Sequence, residues 1–275
     1  SPLSECYQDR LGRSKLAHLI SNSIINKAKT NHECINIAIY GEWGEGKTTL
    51  MNFVEKILLA NGKKDNINIA HFNPWMAGDE EHLLKDFFRS ISHDVKDDIG
   101  ILFQKYGNAI SFSAHYVIDS IAQPIRRIEN LLGLHENITE GEKISKFINE
   151  LSEIFTEDKV PLYIKKKELC EKIQNDNIHL LVFIDDIDRL DKNEIHAVFR
   201  LIRQVADFPN TIYFIAMDPE IVAKSLSEFY GNSTKDGRAF IDKIIQVPFQ
   251  LPKIAKKNLQ NETKDILEAP KVLDM

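Results

Sequence analysis

Residues 41–48 read GEWGEGKT and fit the spacing G-x-x-x-x-G-K-[ST] without a mismatch. Gly41, Gly44 and Gly46 let the backbone curl until several N–H groups face one concavity, a nest for phosphate oxygens. Glu42, Trp43 and Glu45 belong to the same cradle. A helix starting near Gly46 adds its free N–H groups and the positive end of its dipole. Lys47 supplies a point charge for β- and γ-phosphates, Thr48 offers a hydroxyl to Mg2+, and Thr49 completes the predicted nucleotide contacts in the helix's first turn. The competing reading is a Gly-rich turn with a chance Lys-Thr pair. An apolar strand before the loop and a helical pattern after it argue against that.

A phosphate loop needs an acidic partner. The stretch HLLVFIDDIDRL (179–190) is a continuous apolar run that ends in carboxylates. Asp185 is placed to hold Mg2+, directly or through water. Asp186 then lies at the carboxyl edge of the sheet, where ligands bind in open α/β folds. It is the candidate base that polarises an attacking water, the alternative being a supporting carboxylate. An Asp is shorter than a Glu in this role, so slow hydrolysis is expected. Asp188 and Arg189 either pair with each other or face a neighbouring subunit. A further apolar run, TIYFIAM (211–217), ends in Asp218. If that strand neighbours the phosphate-loop strand, Asp218 can sense the γ-phosphate or hold the water; equally, Asp218-Pro219 is good helix-cap chemistry.

The elements that must position these groups follow from periodicity. Apolar residues at helical spacing predict helices over 14–29, 47–60, 81–95 and 142–155, and another along VPLYIKKKELCEKIQND with Pro161 in its first turn. Asp191 and Glu194 predict a capping box, Pro219 a short helix, and 237–245 a late one. Strands are predicted at 35–40, 67–72, 179–185, 211–217 and 244–251. Continuous apolar strands alternating with helices imply an α/β fold, a mostly parallel sheet covered on both faces. The stretch 97–135 is the least legible.

With 275 residues and 43% hydrophobic content the chain can form one large α/β domain or two small ones. The net charge is −6, which excludes a global basic field toward nucleic acid or anionic membrane. The basic runs Lys165–Lys167 and Lys256–Lys257 read as solvated helix faces. Cys6, Cys34 and Cys170 are odd in number and widely spaced, with no disulfide or metal pattern, which fits a reducing cytoplasm. The longest apolar candidate for a membrane span, 106–118, falls short of the roughly 20 residues a bilayer needs.

The set GEWGEGKTTL, FNPW (72–75), VFIDDIDRL (182–190), YFIAMD (213–218) and DKIIQVPFQLP (242–252) resembles the KAP group of P-loop NTPases, which sits near the AAA+ and STAND ATPases. Trp43 and the DDxDR after the acidic strand are its more specific marks. The likeness spans most of residues 9–252. It implies a three-layer P-loop NTPase core over 1–252 that binds ATP with Mg2+. It also implies a mainly helical insertion between the Walker motifs at 97–178, and a C-terminal extension, 253–275, that begins a lid or is cut short. DRLGR (9–13) resembles the segment that lies near the adenine, which adds Gly12 and Arg13 to the nucleotide contacts. Many relatives carry transmembrane helices in the insertion. Here it is too polar, which points to a soluble bacterial-type member, and bacterial relatives suggest a role in anti-phage defence. Trp43 either covers the nucleotide or packs on a neighbouring helix, and Trp75 is expected as a core plug. Arg238 could reach a phosphate, and Arg126 and Arg127 could serve a neighbour in trans.

Four functions compete. The first is an ATP-driven switch, acting as a homo-oligomer or with other defence proteins. The others are a nucleic-acid motor, a nucleotide scaffold without turnover, and a P-loop kinase. A motor needs a basic channel with stacking aromatics, and the acidic balance disfavours a large one. The paired carboxylates after a long apolar strand favour water as the acceptor over a kinase substrate.

Overall fold

The computed structural model describes residues 9, 12–30, 32–62, 67–76, 80–95, 98–109 and 162–253. The predicted helix at 142–155, Arg126, Arg127, Pro161 and the extension beyond 253 lie outside the described residues. The elements run α1 (Arg13–Thr30), β1 (Ile35–Tyr40), α2 (Lys47–Gly62), β2 (Ile67–Phe72), α3 (Glu80–Asp94), α4 (Leu162–Asn175) and β3 (His179–Ile184). They continue with α5 (Lys192–Arg200), β4 (Thr211–Met217), α6 (Pro219–Tyr230), α7 (Thr234–Ile244) and β5 (Val247–Gln250). A further helical stretch covers 98–109.

Among the described residues all strand pairings are parallel, in the order β2-β3-β4-β1-β5. The unbroken apolar strands are explained by burial on both faces. Along β1, Ala38 and Tyr40 enter one core while Ile35, Ile37 and Ile39 enter the other. β3 and β4 divide likewise, with Val182 and Tyr213 on the first face and Phe183 and Phe214 on the second. The second core is covered by α1 and α2 through Ile20, Ile24, Phe53 and Val54, all fully buried. The first is covered by α3 and the later helices, with Phe87, Phe199 and Ile241 among its buried residues. This is the expected three-layer arrangement. Truncating a side chain such as Phe214 to Ala in a core of this kind costs about 3–5 kcal/mol.

Two elements start three residues away from the expected position. α7 starts at Thr234 because Ser233 caps it, its side chain accepting from the Asp236 N–H. β5 is correspondingly shorter, since Ile244 is still helical. Gly237 lies where α7 crosses α6 so closely that a Cβ would meet the Ala223 carbonyl oxygen at 2.0 Å, so only Gly fits.

Candidate functional site

The parallel register sets the site. β1 pairs with β4, Tyr40 opposite Met217, so the loop after β1 and the turn after β4 are neighbours. The Gly41 N–H donates to the Met217 carbonyl at 3.2 Å. Gly44 and Gly46 take φ of +84° and +89°, left-handed backbone that other residues adopt only under strain. The loop then runs directly into α2, whose first turn closes through the Leu50 N–H to the Gly46 carbonyl. Side chains brace it from outside. Glu45 Oε2 accepts from the Glu42 N–H at 2.8 Å, and Glu42 pairs with Lys253 at 2.9 Å.

Lys47 and Thr48, the first residues of α2, reach into the space between the loop and β3. Lys47 Nζ donates to the Gly41 carbonyl at 3.0 Å and to Asp188 Oδ2 at 2.9 Å. Thr48 Oγ1 donates to Asp185 Oδ2 at 2.7 Å, and the Asp186 N–H donates to Asp185 Oδ1 at 2.8 Å. Burial pushes the Asp185 carboxyl above the ordinary range, with Asp186 and Asp188 adding to the rise and the Thr48 bond opposing it. Among the described residues no cation pairs with Asp185. A desolvated carboxylate beside a hydroxyl is a hard oxygen pair of the kind that suits Mg2+ shared with phosphates.

The turn after β3 separates the acids. Asp186 sits at φ 62°, ψ 23°, left-handed backbone that Asp tolerates better than most residues. The chain then makes a short 3-10 turn, Ile187–Arg189, with Ile187 driven into the core. Asp186 is thereby tied toward β2: Asn73 Nδ2 donates to its Oδ2 at 3.3 Å, and Arg189 Nε pairs with its Oδ1 at 2.8 Å. Asp188 is tied toward β1 and β4, through Lys47 and the Asp218 N–H. Arg189 therefore pairs with Asp186, and the partner of Asp188 is Lys47, a pairing the spacing alone did not reveal.

Of the two readings of Asp218, the helix cap is present: the residue is buried, with Oδ1 accepting from the Glu220 and Ile221 N–H groups at the start of α6. The expectation for Trp75 needs correction. Trp75 is 55% exposed and does not plug the core; Pro74–Met76 forms a 3-10 turn that leaves it at the surface. Trp43 is 80% exposed, so it packs on no neighbouring helix among the described residues. Gly12 is exposed at φ +71°. Arg13 is 3% exposed, and its Nη2 donates to the Glu45 carbonyl at 3.1 Å and the Pro252 carbonyl at 2.9 Å. It clamps the phosphate loop to the chain after β5. The Arg238 guanidinium lies 5.1 Å from the centre of the Tyr40 ring and 3.4 Å from Glu220 Oε1, at the root of the loop.

Asn73, within the FNPW motif, has a role that the motif does not announce. Its side chain both donates to Asp186 and accepts from the Trp75 N–H at 3.1 Å. An Asn closing a strand before Pro was the available signal.

The family model described as "KAP family P-loop domain" matches residues 13–270. A curated protein of Escherichia coli (strain K12), the phage T7 exclusion protein, is 27% identical over 277 residues, covering 95% of this chain and 36% of the relative. The chain therefore spans well under half of that relative's length. Among solved structures, the Aeropyrum pernix ORC2 protein in ADPNP-ADP complexes has a TM-score of 0.44 at 13% identity, covering 95% of this chain and 53% of the other. Cdc6p from Pyrobaculum aerophilum has a TM-score of 0.46 at 12% identity, covering 98% and 52%. Among the described residues no helix is long and apolar enough to cross a membrane.

Proposed function

The chain belongs to the KAP family of P-loop domains, and we propose that it binds ATP with Mg2+ and hydrolyses it as a nucleotide-driven switch. The observation that carries this reading is the convergence of Lys47 and Thr48 with the acids that follow β3 at one edge of the sheet. The loop amides and Lys47 hold the phosphates. Thr48 and Asp185 are the residues that would hold Mg2+, which when bound neutralises charge developing on the phosphates. Asp186, fixed by Asn73 and Arg189, accepts a proton from the attacking water. Asp188 holds the Lys47 ammonium at the mouth of the loop.

The experiment is equilibrium ATP binding followed by phosphate release on the same protein. Binding with Mg2+-dependent release supports the switch; binding without release sinks it in favour of a scaffold. Strong stimulation by DNA with a steep salt dependence would favour a motor instead.

The likeness to a phage T7 exclusion protein supports a finer reading, that the ATP cycle serves defence against phage. Phage plating on cells carrying wild type or Lys47→Ala measures this. Protection lost in the variant is expected, and equal plating on both would remove the defence reading.

A further inference from the structure

One carboxylate oxygen, Asp188 Oδ2, accepts from the Lys47 ammonium at 2.9 Å and from the Asp218 N–H at 3.1 Å. The Asp188 side chain is 5% exposed and that of Lys47 is 8%, so solvent screens the pair little. An ammonium has three donors. Here they serve the Gly41 carbonyl and Asp188, with the Glu42 carbonyl at the 3.5 Å limit. A β- or γ-phosphate oxygen that reaches Lys47 must take the place of Asp188 or share the ammonium with it. In both cases a desolvated negative charge stays within a few ångströms of the phosphates. Burial makes that charge expensive, because removing its cation leaves it, among the described residues, compensated only by the Asp218 N–H.

We propose that Asp188 is a built-in competitor that contends with nucleotide phosphates for Lys47 and so weakens nucleotide affinity. This rests on the ATP reading above and deepens it, because it makes the hold on the nucleotide adjustable. The contest grows with each phosphate that faces Lys47. ATP pulls the ammonium from Asp188 most strongly, ADP less, and the single phosphate of AMP does not reach it. The same oxygen holds the first N–H of the turn into α6, so the exchange also changes the hydrogen bonding of Asp218, the cap of that helix.

The test is isothermal titration of ATP, ADP and AMP into wild type and Asp188→Asn at one ionic strength. The amide keeps an acceptor for the Asp218 N–H and removes the charge. The expected result is a Kd for ATP about tenfold lower, the size of effect a single charge has within 4–6 Å. The gain should be smaller for ADP and absent for AMP, with the KM for ATP falling in step. Unchanged affinity, or an equal loss for ATP and ADP, would overturn the proposal and leave Asp188 as a support for Lys47. If thermal melts show that Asp188→Asn does not fold, Asp188→Ser is judged by the same criteria. If wild type binds none of the three and Lys47→Ala changes nothing, the ATP reading fails and the proposal falls with it. ATP binding by wild type with no gain in the variant refutes the competitor alone.

Discussion

The Thr48 hydroxyl and the Asp185 carboxylate meet across 2.7 Å and join the start of α2 to the end of β3. Burial raises the Asp185 pKa, so the folded protein holds that proton at a pH where the unfolded chain has released it. Stability then falls as pH rises from the ordinary carboxylate range through the raised value, and at neutral pH the charge opposes folding. We expect Asp185→Asn to raise Tm, by roughly 2–4 °C for each kcal/mol relieved, while Mg2+-dependent turnover falls at least about 100-fold. Calorimetry and phosphate release check the two effects. A lower Tm with turnover intact would contradict the account.

Asp186 should separate binding from chemistry. Its carboxylate is oriented by Asn73 and Arg189, while the phosphate contacts we propose lie elsewhere, in the loop and Lys47. Asp186→Asn is expected to leave the Kd for ATP within about twofold and to lower kcat by roughly 10²–10⁴, the share of a general base. Asn73→Ala, which removes the bond that orients Asp186 and the acceptor of the Trp75 N–H, should lower kcat by about tenfold with KM little changed. Equal losses of affinity and turnover in Asp186→Asn would remove it as the base.

Arg13 tests the clamp. It donates from a buried position to two carbonyls that lie far apart in sequence, Glu45 and Pro252. Arg13→Ala leaves both without this donor and should cost about 2–4 kcal/mol. Because Glu45 belongs to the phosphate loop, ATP affinity should fall with stability. Arg13→Lys should rescue little, since one ammonium does not reproduce the guanidinium fork. Denaturant titration and ATP binding check this. A variant as stable as wild type would show the clamp to be idle.

Much of this arrangement was legible in the sequence because short spacings encode it. GEWGEGKT fixes which residues line the loop, and strands buried on both faces leave apolar runs that periodicity detects. The roles of DDIDR were not legible. Which acid faces Lys47 depends on one left-handed residue, Asp186, and no spacing reports that dihedral. Arg13 was missed as a clamp because its partners are 32 and 239 residues away. A Trp after Pro at a strand end reads as a core plug, yet the 3-10 turn after Asn73 carries Trp75 outward. The early start of α7 had a signal, Ser233 three residues before Asp236, that helical periodicity overlooked.

A pH dependence arises between α5 and α6. His196 stacks on Phe229 with ring centroids 4.3 Å apart and its Nε2 lies 2.9 Å from the Tyr230 hydroxyl. Burial, with Arg200 nearby, pulls its pKa down to about 4. The unfolded imidazole titrates near 6.5. Stability from the neutral ring is therefore full above about 6.5 and is lost as pH falls toward 4. His196→Phe keeps the stack and removes the titration, so its Tm should decline less than that of wild type between pH 6.5 and 4. Parallel declines would show that His196 does not contribute.

The most direct measurement is phosphate release from ATP by the purified protein with Mg2+, compared with Lys47→Ala. The account predicts slow, Mg2+-dependent release by wild type and loss of at least about 100-fold in the variant. Wild-type protein that binds ATP yet releases no phosphate, or release that Lys47→Ala leaves unchanged, would contradict it.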